Sequence, residues 1–192
     1  MAAVEVLSTR DTAKAREIIA NDDEIDNFER DIESLCLKLL LMQQPVVAGD
    51  LRRVGAALKM VGDLERIGDQ ASDIADVVLT LDGEFDPELN AHLAAMAGRA
   101  SVMVHEAVGA YVNRDEERAH AVIGADDGVN EMFDRVKQDV IDGIKSETDP
   151  AANLVEALMV AKYLERVGDH AQNIAEWVEY SITGLYKGEP LN

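Results

Sequence analysis

LERIGDQASDIA, residues 64–75, returns one hundred positions later as LERVGDHAQNIA, residues 164–175. Eight of the twelve positions are identical, far more than unrelated segments share. A second match lies upstream, where residues 3–26 align with residues 107–130 at an offset of 104. Arg-Asp pairs and Asp-Asp pairs coincide in this second alignment. The chain is therefore an internal duplication, in which the two registers differ by a small insertion.

Composition and punctuation predict helices along the whole chain. Apolar residues make up 47% of the sequence, and only 4 prolines and 13 glycines interrupt it. Pro45, Asp82-Gly83, Pro87 and Pro150 separate long segments without breakers. We expect helices over about 12–43, 50–80, 87–113, 115–147 and 150–185. Long helices joined by tight turns pack antiparallel as bundles, so the expected fold class is all-α.

The duplication divides the chain into two three-helix bundles, predicted at residues 1–84 and 85–192. The second bundle contains the three helices that begin at Pro87. In the first bundle, the counterpart of helix 87–113 ends near Thr9, so the first helix of copy one is largely truncated. Two explanations stay open: the native chain begins upstream of Met1, or another chain completes the first bundle.

The charge balance favours cations and proteins as partners. Lys and Arg number 18 and Asp and Glu number 38, which gives a formal net charge of −20. Such a chain repels nucleic-acid phosphates and anionic lipid headgroups, so we expect neither nucleic acid nor a membrane surface as partner. Cys36 is the single cysteine, and no signal peptide or apolar run of about 20 residues is present. We therefore expect a cytoplasmic protein without direct membrane insertion.

Carboxylates recur one helical turn apart in both copies. One row is Glu65, Asp69 and Asp73, echoed by Glu165, Asp169 and Asn173; another cluster is Asp22, Asp23 and Asp26, echoed by Asp126, Asp127 and Asn130. Like charges at i, i+4 destabilise a helix by about 0.2–0.5 kcal/mol per pair. A solvated polar face is the simpler alternative. Because the unfavourable spacing occurs in both copies, we favour a bound cation.

The donor chemistry narrows the ion and the class of protein. Carboxylate oxygens suit Mg²⁺, Ca²⁺, Mn²⁺ or iron, whereas the scattered histidines disfavour a tetrahedral zinc site. A carboxylate-bridged di-iron enzyme of the ferritin-like kind needs two Glu-x-x-His pairs, and Glu117 with His120 forms the only one. We expect a protein that is not an enzyme. A helical adaptor that binds no metal is the remaining alternative.

Three arginines are candidates for contacts with a partner protein. Arg66 and Arg166 directly follow the glutamates of the repeated motif, so on a helix they point away from them and towards another helix or a partner. Arg52, beside Arg53, forms a basic island in an acidic chain. The alternative interpretation is that Arg52 and Arg53 form salt bridges with nearby acids of this chain.

The stretch QQPVVAGDLRRVGAALKMVGDLERIGDQASDIA, residues 43–75, and its echo YLERVGDHAQNIAEWVEY, residues 163–180, resemble the PhoU family over essentially the whole chain. The resemblance implies two three-helix bundles whose acidic motifs bind clusters of iron, zinc, Mn or Mg. It also implies a non-enzymatic role in phosphate homeostasis. Such proteins link the ATPase of a phosphate ABC transporter to a sensor histidine kinase, and repress the phosphate-starvation response.

The resemblance places metal ligands on particular residues of this chain. By position they are Glu65, Asp69, Asp73, Glu165 and Asp169, with Asp23, Asp26 and Asp127 as weaker candidates. The two copies differ, because Asn130 and Asn173 stand where copy one has carboxylates, so the second site is less anionic. The truncated first helix favours domain exchange, and we expect a homodimer.

Overall fold

The computed structural model describes residues 2–42, 47–83, 85–146 and 150–191 of the chain. Almost all of this part is helical, with one short antiparallel hairpin at the carboxyl end. No helix within these ranges is long and apolar enough to cross a membrane. The elements are α1 (Ala2–Thr9), α2 (Thr12–Ala20), α3 (Asp22–Met42), α4 (Ala48–Thr80), α5 (Pro87–Asn113), α6 (Glu116–Ser146), α7 (Ala151–Thr183), β1 (Leu185–Tyr186) and β2 (Glu189–Pro190).

Helices α5, α6 and α7 form the complete three-helix bundle of copy two, and α7 also packs along α4 of copy one. One hydrophobic core runs through both copies. Its largest wholly buried side chains include Ile74, Leu93, Met96, Leu164 and Ile174. The prediction of an all-α fold built from two related helical bundles is confirmed.

The turn that precedes the middle helix is the same in both copies. Arg10 and Arg114, which align in the repeat, both adopt the left-handed conformation, with φ of 54° and 55°. The next residue caps the following helix in each case. Asp11 accepts hydrogen bonds from two backbone amides of α2, and Asp115 Oδ1 accepts one from the amide of Arg118 at 3.0 Å. This cap satisfies amide groups that a helix start leaves unpaired.

The predicted helix over 12–43 is wrong in one respect, because the helix is interrupted at Asn21. The backbone N–H of Asn21 donates to the backbone carbonyl of Glu17, which ends α2. The backbone carbonyl of Asn21 accepts from the backbone N–H of Glu24, in the first turn of α3. In copy two Ala125 takes the equivalent position, and α6 continues through it. Asn has a lower helix propensity than Ala and is common at helix ends, which accounts for the difference.

The other predicted ends agree with the structure to within a few residues. The predicted ends at Gln43 and Glu147 lie outside the described residues. The last helix stops at Thr183, not near Leu185, because Gly184 adopts the left-handed conformation with φ of 83°. The chain then forms the β1–β2 hairpin. The unit boundary between residues 84 and 85 stays a prediction, since Glu84 also lies outside the described part.

Within the described residues, part of α3 has no neighbouring helix. Helix α1 has 8 residues where α5 has 27. Among the described elements, α3 contacts α4 and the end of α2. We call the exposed apolar row on its free side the α3 stripe: Phe28, Ile32, Leu35, Leu39 and Met42. In copy two the counterpart of Ile32 is Val136, which is wholly buried in the bundle that α5 completes.

Candidate metal site

Carboxylates from two helices line one groove of copy one. Spacing of i, i+4 and i+7 places the α3 acids on one helix face, and spacing of i, i+4 and i+8 does the same on α4. Gly68 lets the helices approach closely, because a Cβ there would lie 2.8 Å from Ile25 Cδ1. We call these six residues cluster one: Asp22, Asp26, Glu29, Glu65, Asp69 and Asp73.

Burial and mutual repulsion raise the pKa of several acids in cluster one. The pKa of Asp22, Glu65 and Asp73 is raised, in each case first by burial and next by the charge of Asp69. The influence crosses the groove, since Asp69 and Asp73 act on Asp22, and Glu29 acts on Glu65. The ionised carboxylates therefore disfavour one another, which is the environment that a cation relieves.

The positive charges beside cluster one are mostly exposed. Arg30 Nη2 lies 3.2 Å from Asp26 Oδ2, and Arg66 lies 3.5 Å from Glu65 and 3.2 Å from Asp69. The side chains of Arg30 and Arg66 are 66% and 59% exposed. Such exposed pairs contribute at most about 1 kcal/mol each. The acids of cluster one thus keep most of their repulsion.

The three arginines predicted to contact a partner have different surroundings. Arg66 pairs with acids of its own helix, contrary to the expectation that it points away from the adjacent glutamate, because its long side chain folds back along α4. Arg166, on α7, lowers the pKa of Asp73, so it reaches towards the groove of copy one. Arg52 packs beside Gly184, and its Nε is buried with no hydrogen-bond partner among the described residues. Their role in partner binding stays a prediction.

Copy two contains a smaller acidic group, cluster two: Asp126 on α6 with Glu165 and Asp169 on α7. Asp126 is a buried residue, only 9% exposed. Its Oδ2 accepts a hydrogen bond of 2.9 Å from Asn130 Nδ2, whereas its Oδ1 is buried with no hydrogen-bond partner in the described ranges. The pKa of Asp126 and of Asp169 is raised, chiefly by burial.

The structure brings most of the predicted ligands together. Asp26, Glu65, Asp69 and Asp73 belong to cluster one, and Glu165 and Asp169 belong to cluster two. Asp23 and Asp127 are exposed on the outer side of their helices, and the neighbouring Asp22 and Asp126 take the inward positions. Glu29 was also missed. The i, i+4, i+7 spacing of Asp22, Asp26 and Glu29 is the signal that identifies the inward face.

A histidine–carboxylate pair between the two copies was not predicted either. His170 Nδ1 on α7 lies 2.8 Å from Asp63 Oδ1 on α4, and both side chains are less than one-fifth exposed. Asn173 Nδ2 lies 3.4 Å from the same oxygen. Asn173 therefore faces copy one and not cluster two. Asp63 lies outside the repeated acidic row, so no pattern in the sequence indicated this contact.

The donor set fits a hard cation in its chemistry. No three His, Cys, Asp or Glu side chains within the described ranges are arranged as a ready-made metal site. Repulsion between like charges turns neighbouring carboxylates apart, and a cation between them removes that repulsion. The available atoms are carboxylate oxygens, which Mg²⁺ and Mn²⁺ prefer. The buried Asp126 Oδ1 has an unused acceptor position for such an ion.

Fold and site define a class: duplicated helical-bundle proteins with an acidic groove between helices in each copy. The sequence model of the PhoU domain matches residues 1–78 and 93–178. The chain belongs to the PhoU family, as the repeated motifs indicated.

Relatives and solved structures agree with this assignment. A PhoU homologue of Clostridium acetobutylicum, named a phosphate-specific transport system accessory protein, is 36% identical over 94% of this chain and 83% of its own length. One from Thermotoga maritima, with the same description, is 34% identical over 95% and 78%. The crystal structure of PhoU from Pseudomonas aeruginosa is 32% identical, with a TM-score of 0.89 over 95% of this chain and 88% of that one. The phosphate transport system regulatory protein PhoU from Streptococcus pneumoniae is 27% identical, with a TM-score of 0.87 over 96% and 86%.

Proposed function

We propose that this PhoU protein is a metal-binding regulator of phosphate uptake that acts through contacts with other proteins. The observation that supports metal binding is cluster one. Six carboxylates share one groove, three of them have a raised pKa, and the nearby arginines are largely exposed. A bound cation would add positive charge between the carboxylates, where Arg30 and Arg66 contact them with largely exposed side chains.

The carboxylates of cluster one would hold the ion between α3 and α4. Glu65, Asp69 and Asp73 would act from α4, with Asp22 and Asp26 opposite them. Iron, zinc, Mn and Mg are the candidate ions, since all accept carboxylate oxygens. Elemental analysis of protein purified without chelator tests this directly. A stoichiometric metal is expected, and protein that contains none and gains no thermal stability from Mn²⁺ or Mg²⁺ would contradict it.

The partners we propose are the ATPase of a phosphate ABC transporter and a sensor histidine kinase, both reached in the cytoplasm. The names of the relatives, accessory and regulatory proteins of phosphate transport, support this role. Arg52, Arg66 and Arg166 are the candidate contacts, and the Arg66 side chain is 59% exposed. The contact would restrain phosphate uptake and repress the starvation response when phosphate is plentiful.

A pull-down from cells grown with and without phosphate tests the proposed partners. The tagged chain should recover the transporter ATPase or the kinase, and recovery should change with phosphate supply. Arg66→Ala should weaken recovery, whereas Arg135→Ala, an exposed arginine near the far end of copy two, should not. Recovery of neither protein under both conditions would refute the proposed partnership.

We also propose that two copies associate through the α3 stripe. Its members recur at i, i+4, i+7, i+11 and i+14, the spacing of a coiled-coil seam. Among the described elements α3 packs chiefly on α4, and the residues of this row are 38–83% exposed. Leu39 lies at the edge of the row nearest α4, beside Arg53 and Tyr111. The same stripe on a second copy offers an apolar surface of matching length, and a symmetric pairing would cover both.

The role that we propose is not catalytic. The ferritin-like alternative requires histidines beside the carboxylates. His120 Nε2 lies 3.3 Å from Glu179 Oε1, away from both clusters, and His170 contacts Asp63. No contact within the described ranges therefore favours the enzyme over the regulator. Oxygen consumption by Fe²⁺-loaded protein would contradict this choice.

A further inference from the structure

The two acidic clusters differ at four paired positions, and every difference reduces the negative charge of copy two. Where cluster one has three further carboxylates, copy two has two amides and an aromatic ring. Where copy one has a glycine at the edge of the groove, copy two has a lysine. The pairs are Asp26 and Asn130, Glu29 and Phe133, Gly62 and Lys162, and Asp73 and Asn173.

Contacts in the structure confirm the correspondence of Glu29 with Phe133 and of Gly62 with Lys162, whereas Asn173 faces Asp63 of copy one. Ile25 packs on Gly68 in copy one, and Val129 packs on Gly168 at the equivalent place in copy two. One turn further along each pair of helices, Glu29 faces Gly62, where a Cβ would lie 3.6 Å from Glu29 Oε1. In copy two, Phe133 and Lys162 meet at this point, with the Lys162 ammonium 5.5 Å from the ring centroid. The Glu29–Gly62 contact of copy one is therefore replaced in copy two by the Phe133–Lys162 contact.

The Lys162 ammonium is held beside cluster two by two groups. It forms an ion pair with Glu165, whose side chain is 15% exposed, and it lies over the Phe133 ring. The ion pair spans i, i+3 on α7. Its charge also opposes the rise in the pKa of Asp169. In copy one Gly62 takes this place, and the cation that contacts Glu65 is Arg66, whose side chain also pairs with Asp69 and is 59% exposed.

We propose that Lys162 is a built-in cation that competes with metal at cluster two, so that the two copies bind metal unequally. This inference rests on the proposed metal binding. Cluster one, with six carboxylates and no lysine at its edge, takes up ions first. At cluster two an ion must displace the ammonium from Glu165 before it reaches that carboxylate and the unpartnered Oδ1 of Asp126.

Titration of the metal-free protein with Mn²⁺, followed by the electron paramagnetic resonance signal of free Mn²⁺, tests the inference. Two variants assign the binding classes to the copies: Asp69→Asn removes a ligand of cluster one, and Asp169→Asn removes its counterpart in cluster two. Lys162→Met removes the ammonium and keeps an apolar chain over Phe133. Lys137→Met is the matched control, because it changes the net charge by the same amount. Lys137 pairs with Asp134 on the outer side of α6.

We expect a tight class that Asp69→Asn removes and a weak class that Asp169→Asn removes. Lys162→Met should tighten the weak class about tenfold, or about 1.4 kcal/mol, while Lys137→Met changes it less than twofold. Gly62→Lys, which places an ammonium opposite Glu29, should weaken the tight class. Lys162→Gln serves in place of Lys162→Met if the latter does not fold.

Two results would overturn the inference while metal binding stands. In the first, Lys162→Met and Lys137→Met have the same effect on the weak class. In the second, Asp169→Asn removes the tight class. If the wild-type protein binds no Mn²⁺ at all, the proposed metal function fails and the inference fails with it.

Discussion

Neutralising Asp69 should stabilise the metal-free protein and weaken its response to metal. Asp69 lies at the centre of cluster one, and its charge raises the pKa of Asp22, Glu65 and Asp73. In Asp69→Asn the side chain keeps its shape and nearly the same helix propensity, so the change removes charge alone. Without metal the negative charge of Asp69 lowers the free energy of unfolding, and with metal its carboxylate acts as a ligand.

The expected size follows from the neighbours of Asp69. Two like-charge pairs at i, i+4, with Glu65 and with Asp73, cost about 0.2–0.5 kcal/mol each. The ion pair with Arg66 at 3.2 Å is largely exposed and offsets about half of that. The variant should gain about 0.2–0.5 kcal/mol, which is roughly 0.5–2 °C in Tm for a chain of this size. Mn²⁺ at a hundredfold its Kd should stabilise the wild type by about 2.7 kcal/mol, and the variant by clearly less.

Differential scanning calorimetry at pH 7, with EDTA and then with Mn²⁺, measures both effects. Asp142→Asn is the control, because the pKa of Asp142 is lowered by hydrogen bonds from Gln138 and Lys145 and its charge is favourable. That variant should lower Tm and leave the Mn²⁺ response intact. If Asp69→Asn also lowers Tm in EDTA, or responds to Mn²⁺ like the wild type, the reasoning about cluster one is refuted.

Three further predictions concern pH, packing and assembly. Because acids of both clusters have a raised pKa, the folded protein binds more protons than the unfolded one at pH values above the ordinary Asp value of 3.8, so their destabilising effect fades as pH falls. The difference in Tm between Asp69→Asn and wild type should therefore narrow as the pH falls from 7 towards the ordinary Asp value of 3.8, and a constant difference would contradict this. Gly68→Ala should cost about 1–2 kcal/mol of unfolding free energy by urea titration, since its Cβ meets Ile25, whereas Gly55→Ala, with nothing within 4 Å, should gain up to about 1 kcal/mol. Phe28→Lys with Leu35→Glu should convert a dimer to a monomer in light scattering after size exclusion, and a wild-type monomer would refute the dimer.

Much of the fold was predictable because the sequence contains an internal repeat. The repeated motif gave the duplication, and Pro87 and Gly184 mark helix ends through backbone geometry that local sequence determines. The break at Asn21 was not predictable, since the aligned Ala125 continues the helix. Whether one low-propensity residue interrupts a long helix depends on packing along both sides, and in the described part of the chain α3 packs chiefly on α4.

The candidate site was predictable on the repeated helices and less so on their neighbours. Spacing within α4 and α7 identified the carboxylate rows, because residues one turn apart share a face. The choice between Asp22 and Asp23 depends on how α3 is rotated against α4, and adjacent residues differ by 100° of rotation. Lys162 was missed because its partner in the repeat is Gly62, outside the identical motif, and its importance appears only when Phe133 and Glu165 are seen beside it.

The most direct test of metal binding is X-ray diffraction from crystals grown with Mn²⁺, using its anomalous signal to locate the ion. We predict a strong anomalous peak between α3 and α4, within coordination distance of Glu65 and Asp69, with Arg66 moved away from both. A groove without such a peak at saturating Mn²⁺, in which Arg66 still pairs with Glu65 and Asp69, would contradict the central claim.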